Sequence, residues 1–146
     1  MSTNQTDQGR FEAQYRTLLV LWFAFLSMFI IYYFLPVAIG SRQQPEDKTL
    51  LIVFNVISPL FVAVSFFVKK SFFARAVATQ DMRLVQTGFI VAAAICEAGA
   101  LLGLMDYMVA HDRYYFILIG FALLGLVLHF PRRSQLAVAN FKNLNS

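Results

Sequence analysis

A chain of 146 residues that is 59% hydrophobic and only 14% charged, with a mean hydropathy of +0.64, carries more apolar surface than one water-soluble domain of this size can bury. Its net charge of +4 would suit nucleic acid in a soluble protein, but the basic residues flank apolar runs, the distribution that orients a chain in a bilayer, so nucleic acid is excluded and lipid is the expected surrounding. The lone Cys96 excludes an intrachain disulfide and is expected to pack among apolar neighbours.

The tail over residues 1–16 mixes Asp7 and Glu12 with Arg10 and Arg16, unlike the basic leader of a signal peptide. The apolar run from Leu18 to Ile39 also exceeds the roughly 7–15 residues of a signal core, so it is read as a retained span although "VAIGS" resembles a cleavage site. At about 1.5 Å per helical residue it covers a hydrocarbon core of roughly 30 Å, with Pro36 near its exit. Next comes a polar external loop, "GSRQQPEDKT", and a second span from Leu50 to Val68 that contains Asn55, Ser58 and Pro59. The connection "KKSFFARAVATQDMRLVQT" keeps helical periodicity through Phe72, Phe73, Val77, Leu84 and Val85, and Thr79 is placed to cap a new helix ahead of Asp81. A helical hairpin projecting into the cytoplasm is therefore expected between spans two and three.

The third span runs from Gly88 to Ala110, and only His111, Asp112 and Arg113 separate it from the fourth, Tyr114 to Phe130, so the two should be antiparallel neighbours. "HFPRRSQ" stops the fourth span at Pro131, and within the tail over 131–146 the segment Leu136 to Ser146 is expected to form a short surface helix. No sustained two-residue alternation marks these runs, and each is about twice as long as a barrel strand. The predicted fold is all-α: a single domain, an integral membrane bundle of four transmembrane helices in antiparallel up-down order.

Nine basic residues fall on one side of such a bundle: Arg10 and Arg16, then Lys69, Lys70, Arg75 and Arg83, then Arg132, Arg133 and Lys142. Only Arg42, Lys48 and Arg113 fall on the other, which predicts a cell-membrane protein with both termini cytoplasmic. Tyr15 marks the inner boundary and Tyr32, Tyr33, Tyr107, Tyr114 and Tyr115 the outer one, where rings with an apolar body and a polar tip are favoured.

Glu97 interrupts "AAAICEAGALLGLMD" nine positions after Gly88, about 13 Å into the span and so near mid-membrane. An acidic residue such as Asp at that depth costs about 2.5–3.5 kcal/mol, so Glu97 should be protonated, turned into the bundle or partnered. No span contains Lys or Arg to neutralise it. Ser27, Ser58 and Asn55 are the expected hydrogen-bond shell, because Ser27 and Ser58 fall at a similar depth and Pro59, lacking an N–H, frees the carbonyl of Asn55. Ala92, Cys96, Gly99 and Gly103 form a small-residue stripe on the same helix, and Gly99 with Gly103 makes a GxxxG pair suited to close helix packing. Glu97 then has two readings, a structural hydrogen-bonded pin or a proton- or ion-binding site. Asp106, near the outer end of its span, is expected to be a solvated boundary acid within reach of Arg113.

His111 and His129 are expected at opposite faces and lack partners at ligand spacing, so no metal, haem or other cofactor is expected. There is no glycine-rich phosphate loop and no nucleophile elbow, and the chain is read as non-enzymatic. The segment "TGFIVAAAICEAGALLG", Thr87 to Gly103, resembles the second helix of the proton-binding c subunit of rotary ATP synthases. In that family a polar loop leads into a small-residue run and then a membrane carboxylate followed by alanine. Glu97 and Ala98 match the last two, and Gln80 with Asp81 falls where the polar loop would be. The resemblance, confined to this part of the chain, implies a reversible proton or sodium site at Glu97. The function expected overall is an accessory or structural component of a membrane assembly, as a homo-oligomer or within a larger complex; the alternative is a proton- or ion-binding protein that uses Glu97.

Overall fold

The computed structural model describes residues 3–40 and 47–134; most of the loop "GSRQQPEDKT" and the expected surface helix from Leu136 to Ser146 lie outside them. Helix α1 spans Thr3–Ile39, α2 Lys48–Thr79, α3 Met82–Met105 and α4 Tyr115–Leu128, and a π-helical turn, Asp106–Ala110, extends α3. The described residues contain no strand.

Each boundary has a local cause. Asp47 sits in extended backbone and its carboxylate accepts the N–H groups of Thr49 and Leu50 at 3.0 and 3.3 Å, satisfying two of the orphan donors that open α2. The end of α2 is a left-handed residue, Gln80 at φ 53°, whose N–H turns back to the carbonyl of Ala76. The cap of α3 is Asp81, which accepts the Arg83 N–H at 2.9 Å, and not Thr79 as expected. Thr79 is still inside α2, where its hydroxyl donates to the Arg75 carbonyl at 2.9 Å and so cannot serve the next helix.

Three helical stretches are long and apolar enough to cross a membrane: Phe11–Ile39, Lys48–Thr79 and Met82–Ala110. With 37 and 32 residues, α1 and α2 reach about 55 and 48 Å at about 1.5 Å per residue, well beyond a hydrocarbon core of roughly 30 Å. The fourth apolar run is shorter than its sequence suggests. Only Tyr115–Leu128 is helical, 14 residues or about 21 Å. Tyr114 belongs to the preceding turn, where its N–H bonds the Asp112 carboxylate at 2.9 Å, and Pro131 has no N–H with which to continue beyond His129 and Phe130.

Half of the α3 window is buried, against 11% for α1 and 17% for α2, so α3 is the central element. Its small side chains make this possible: Ala92, Ala93, Cys96 and Ala100 are fully buried, and Phe29 of α1, Val62 of α2 and Ile119, Ala122 and Leu126 of α4 close around them. Gly99 and Gly103 are buried on the same helix. A Cβ built on Gly103 would stand 3.0 Å from Leu118 Cβ, and one on Gly88 only 2.5 Å from Phe72 Cβ. The same construction on Gly125 of α4 reaches Val62 Cγ1 at 2.8 Å and Cys96 Sγ at 3.1 Å, so the helices touch wherever these glycines lie. Outside this core Val20, Val37, Phe67 and Leu128 are at least 67% exposed, an arrangement costly in water and natural in hydrocarbon.

The rims are tied by polar contacts. At one, the Asp47 N–H donates to the Ala110 carbonyl at 3.2 Å, and the Tyr107 hydroxyl donates to the Gly40 carbonyl at 2.7 Å with that of Pro36 at 3.3 Å. At the other, Arg133 lies over the Tyr15 ring at 4.8 Å and meets Glu12 at 3.6 Å.

Candidate functional site

Glu97 is partly buried on the α1 side of α3, and its partner is Tyr32, whose hydroxyl donates to Oε1 at 2.8 Å. Tyr32, expected with Tyr33, Tyr107, Tyr114 and Tyr115 near the outer boundary, stands level with the carboxyl on the neighbouring helix. A tyrosine can do this because its apolar ring packs against the core while its hydroxyl reaches one acceptor.

The expected shell does not form. Ser27 is exposed and donates to the Phe23 carbonyl of its own helix at 2.8 Å, and Asn55, also exposed, donates to Leu51 at 2.9 Å. Ser27 precedes Tyr32 by five residues, so it points about 140° away around α1. Both side chains satisfy themselves on the preceding turn, the usual solution for a polar group facing hydrocarbon. Ser58 does bridge helices, but its fully buried hydroxyl donates to the Gly99 carbonyl at 3.0 Å. Gly99 follows Glu97 by two residues, about 200° around α3, so α1 meets one face of that helix and α2 the other.

A second polar cluster joins α2, α3 and the end of α4, and sequence reasoning missed it. Ser65 Oγ lies 2.9 Å from His129 Nε2, donates to the Val62 carbonyl at 2.6 Å and accepts the Cys96 thiol at 3.2 Å. Because the hydroxyl has one proton and Val62 takes it at the shortest distance, the hydrogen-bond pattern assigns a proton to His129 Nε2. Nδ1 is then an acceptor, buried with no hydrogen-bond partner. The imidazole stacks obliquely on Phe66 with ring centres 4.4 Å apart, and Lys69 Nζ donates to the His129 carbonyl at 3.2 Å, placing a cation at the carbonyl end of α4. One signal was available: Ser65 follows Ser58 by seven residues, two turns along the same face of α2. Ser65, Cys96 and His129 are all 0% exposed, so this Ser–His–Cys contact is enclosed where α2, α3 and the end of α4 meet.

Asp106 overturns its expected solvation. It is 0% exposed and both carboxyl oxygens lack a hydrogen-bond partner, while the carboxyl of Asp112, itself only 5% exposed, stands beside it. The cause is local: the π-helical turn and the left-handed His111 at φ 60° fold the connection back, so the N–H groups of both His111 and Asp112 return to the Asp106 carbonyl. Two adjoining buried carboxylates would repel and be poorly solvated, so this connection carries an unrelieved polar cost.

Among the described residues no three His, Cys, Asp or Glu side chains are gathered as a metal site would need. The chain matches no protein-family model, and no curated protein or solved structure is significantly similar to it.

Proposed function

We propose that this chain is a non-catalytic accessory or structural component of a membrane assembly, held in the cytoplasmic membrane by four antiparallel spans with both termini inside. The observation that carries this reading is where the polar side chains in its apolar region spend their hydrogen bonds. Tyr32 with Glu97 joins α1 to α3, Ser58 with Gly99 joins α2 to α3, the Trp22 indole donates to the Leu126 carbonyl and joins α1 to α4, and Ser65 with His129 joins α2 to the end of α4. Each links one helix to another, as expected of a rigid body that others assemble around.

The up-down order is supported by the run of contacts. Asp47, Ser58, Ser65 and Phe72 on the α2 side meet Ala110, Gly99, Cys96 and Gly88 in turn, so residue numbers rise on one chain segment as they fall on the other. The segment after α3 follows it in the same manner: Leu118 lies against Gly103, Ala122 against Gly99 and Gly125 against Cys96, and Arg133 reaches Glu12, which supports a fourth crossing despite the short regular helix. Orientation rests on Lys69, Lys70, Arg75, Arg83, Arg132 and Arg133 at the α2–α3 turn end against Lys48 and Arg113 opposite. Purification from native membranes in mild detergent tests the assembly reading. Recovery in one stoichiometric homo- or hetero-oligomer is expected; a monodisperse, unpartnered monomer would overturn it.

A second reading is supported by the Glu97 geometry: Oε1 is held at 2.8 Å by Tyr32 while the residue stays only partly buried. On this reading Glu97 takes up and releases a proton or sodium ion, as the resemblance of Thr87 to Gly103 to the rotary c subunit implies. Carbodiimide should then label Glu97 in a pH-dependent manner and Glu97→Gln should abolish labelling; an unreactive wild-type carboxyl across pH removes this reading and leaves the first intact.

A further inference from the structure

We propose that the α2–α3 turn end of the bundle holds a binding site for one anionic phospholipid, its phosphate taken by Lys69, Lys70 and Arg132 and its upper acyl chain laid along Phe66 and Leu128. The site goes beyond the assembly reading and rests only on the chain lying in a membrane. A cavity of about 210 Å³ opens here, lined by Phe66, Lys69, Lys70, Phe73, Leu128 and His129. Two of these walls are ammonium groups, three are hydrocarbon or phenyl surface, and none is acidic. Arg132 adds a third positive charge, near enough to act on Lys69 as a like charge.

Crowded cations call for an anion. Among the described residues the ion pair at this end is Arg133 with Glu12, and none of Lys69, Lys70 or Arg132 is joined to a carboxylate. Lys69 is fixed by its hydrogen bond to the His129 carbonyl at 3.2 Å, which uses one of its three N–H donors and leaves two for phosphate oxygens. Lys70 is exposed and supplies a second ammonium from the adjacent position on α2. These charges stand where the apolar runs of α2 and α4 end: Phe66 and Leu128 lie on the membrane side of them, and Pro131 with Arg132 follows at once on the other. A small inorganic anion would meet the cations alone. A phospholipid meets both halves of the cavity, the charged mouth with its headgroup and the phenyl and leucine wall with its chain, which is why lipid is the occupant.

The test uses the full chain in non-ionic detergent, titrated with phosphatidylglycerol or phosphatidylcholine and read by native mass spectrometry. One phosphatidylglycerol per chain should be retained and phosphatidylcholine lost under the same activation. Lys70→Gln, an exposed substitution compatible with folding, should weaken retention about fivefold, and Lys69→Gln/Lys70→Gln about 25-fold, from the usual contribution of each basic residue near an anionic headgroup. Arg113→Gln, at the opposite rim, should leave it unchanged. Equal retention of the two lipids, indifference to Lys70→Gln or an equal loss with Arg113→Gln would overturn the site, and displacement by inorganic phosphate at matched concentration would overturn the choice of lipid.

Discussion

Replacing Gly125 by alanine adds one methyl group at the tightest point between α4 and its neighbours. Its Cβ would lie 2.8 Å from Val62 Cγ1 and 3.1 Å from Cys96 Sγ, and both neighbours are buried, Val62 at 8% exposure and Cys96 at 0%. Neither yields easily: valine in a helix is nearly confined to one rotamer, and Cys96 is held by Ser65 at 3.2 Å. Overpacking of this kind costs about 1–3 kcal/mol. Alanine also favours a helix over glycine by about 1 kcal/mol, a gain that must be separated from the clash. Gly120→Ala provides the separation, because Gly120 lies in the same helix with nothing within 4 Å of its added Cβ. The gain is common to both variants, so Gly125→Ala should be less stable than Gly120→Ala by about 1–3 kcal/mol, the packing cost alone. Unfolding in mixed micelles, followed by the fluorescence of the single tryptophan, measures it directly: Trp22 donates to Leu126, the residue after Gly125, at 3.1 Å. Val62→Ala should recover most of the loss in the double variant, a coupling that independent sites would not show. Equal stability of the two glycine variants, or strict additivity with Val62→Ala, would refute the close approach of α2 and α4.

The other polar ties should divide by where their hydrogen bonds go. Ser58→Ala should destabilise the bundle by about 0.6 kcal/mol, the mean for an interhelical hydrogen bond in a membrane protein, while Ser27→Ala and Asn55→Ala, which lose bonds within their own helices, should stay within error of wild type in the same unfolding titration. Tyr32→Phe should cost a similar amount, up to about 1.7 kcal/mol, and this cost should vanish in a Glu97→Ala background; persistence there would mean the ring, and not the hydroxyl, supplies the tie. Asp106→Asn brings an N–H donor to the neighbouring Asp112 carboxyl in nearly the same volume, so its thermal melt should fall no lower than that of wild type, whereas a loss beyond about 1 kcal/mol would show that the acid itself is required.

Much of this architecture could be read from hydropathy, because apolar runs and their interruptions report which stretches face oil. Hydropathy reports that length and not the length of the helix; it is the helical periodicity of the next connection that anticipates α2 continuing unbroken through Lys69 and Lys70 to Thr79, since charges outside the hydrocarbon do not stop a helix. Counting residues likewise gives height along a span but not direction around it. Ser27 and Tyr32 differ in height by about 7.5 Å, yet their separation around α1 decides which of them meets Glu97. The burial of Asp106 was beyond reach for another reason, since it depends on a π-helical turn for which no local residue pattern was available. Ser65 and His129 stayed hidden because each looks unremarkable alone, and only the folding of α4 back along α2 brings them to 2.9 Å.

A fold in which α1, α2 and α4 all lean on one slender central rod distributes tolerance unevenly. Mutational drift along the outward face of α1, with barely a tenth of its window turned inward, meets little restraint from packing within the chain. On the inward edge of α3 a single added methyl must be answered by a change in a neighbouring helix, so lasting substitutions there should arise as matched pairs.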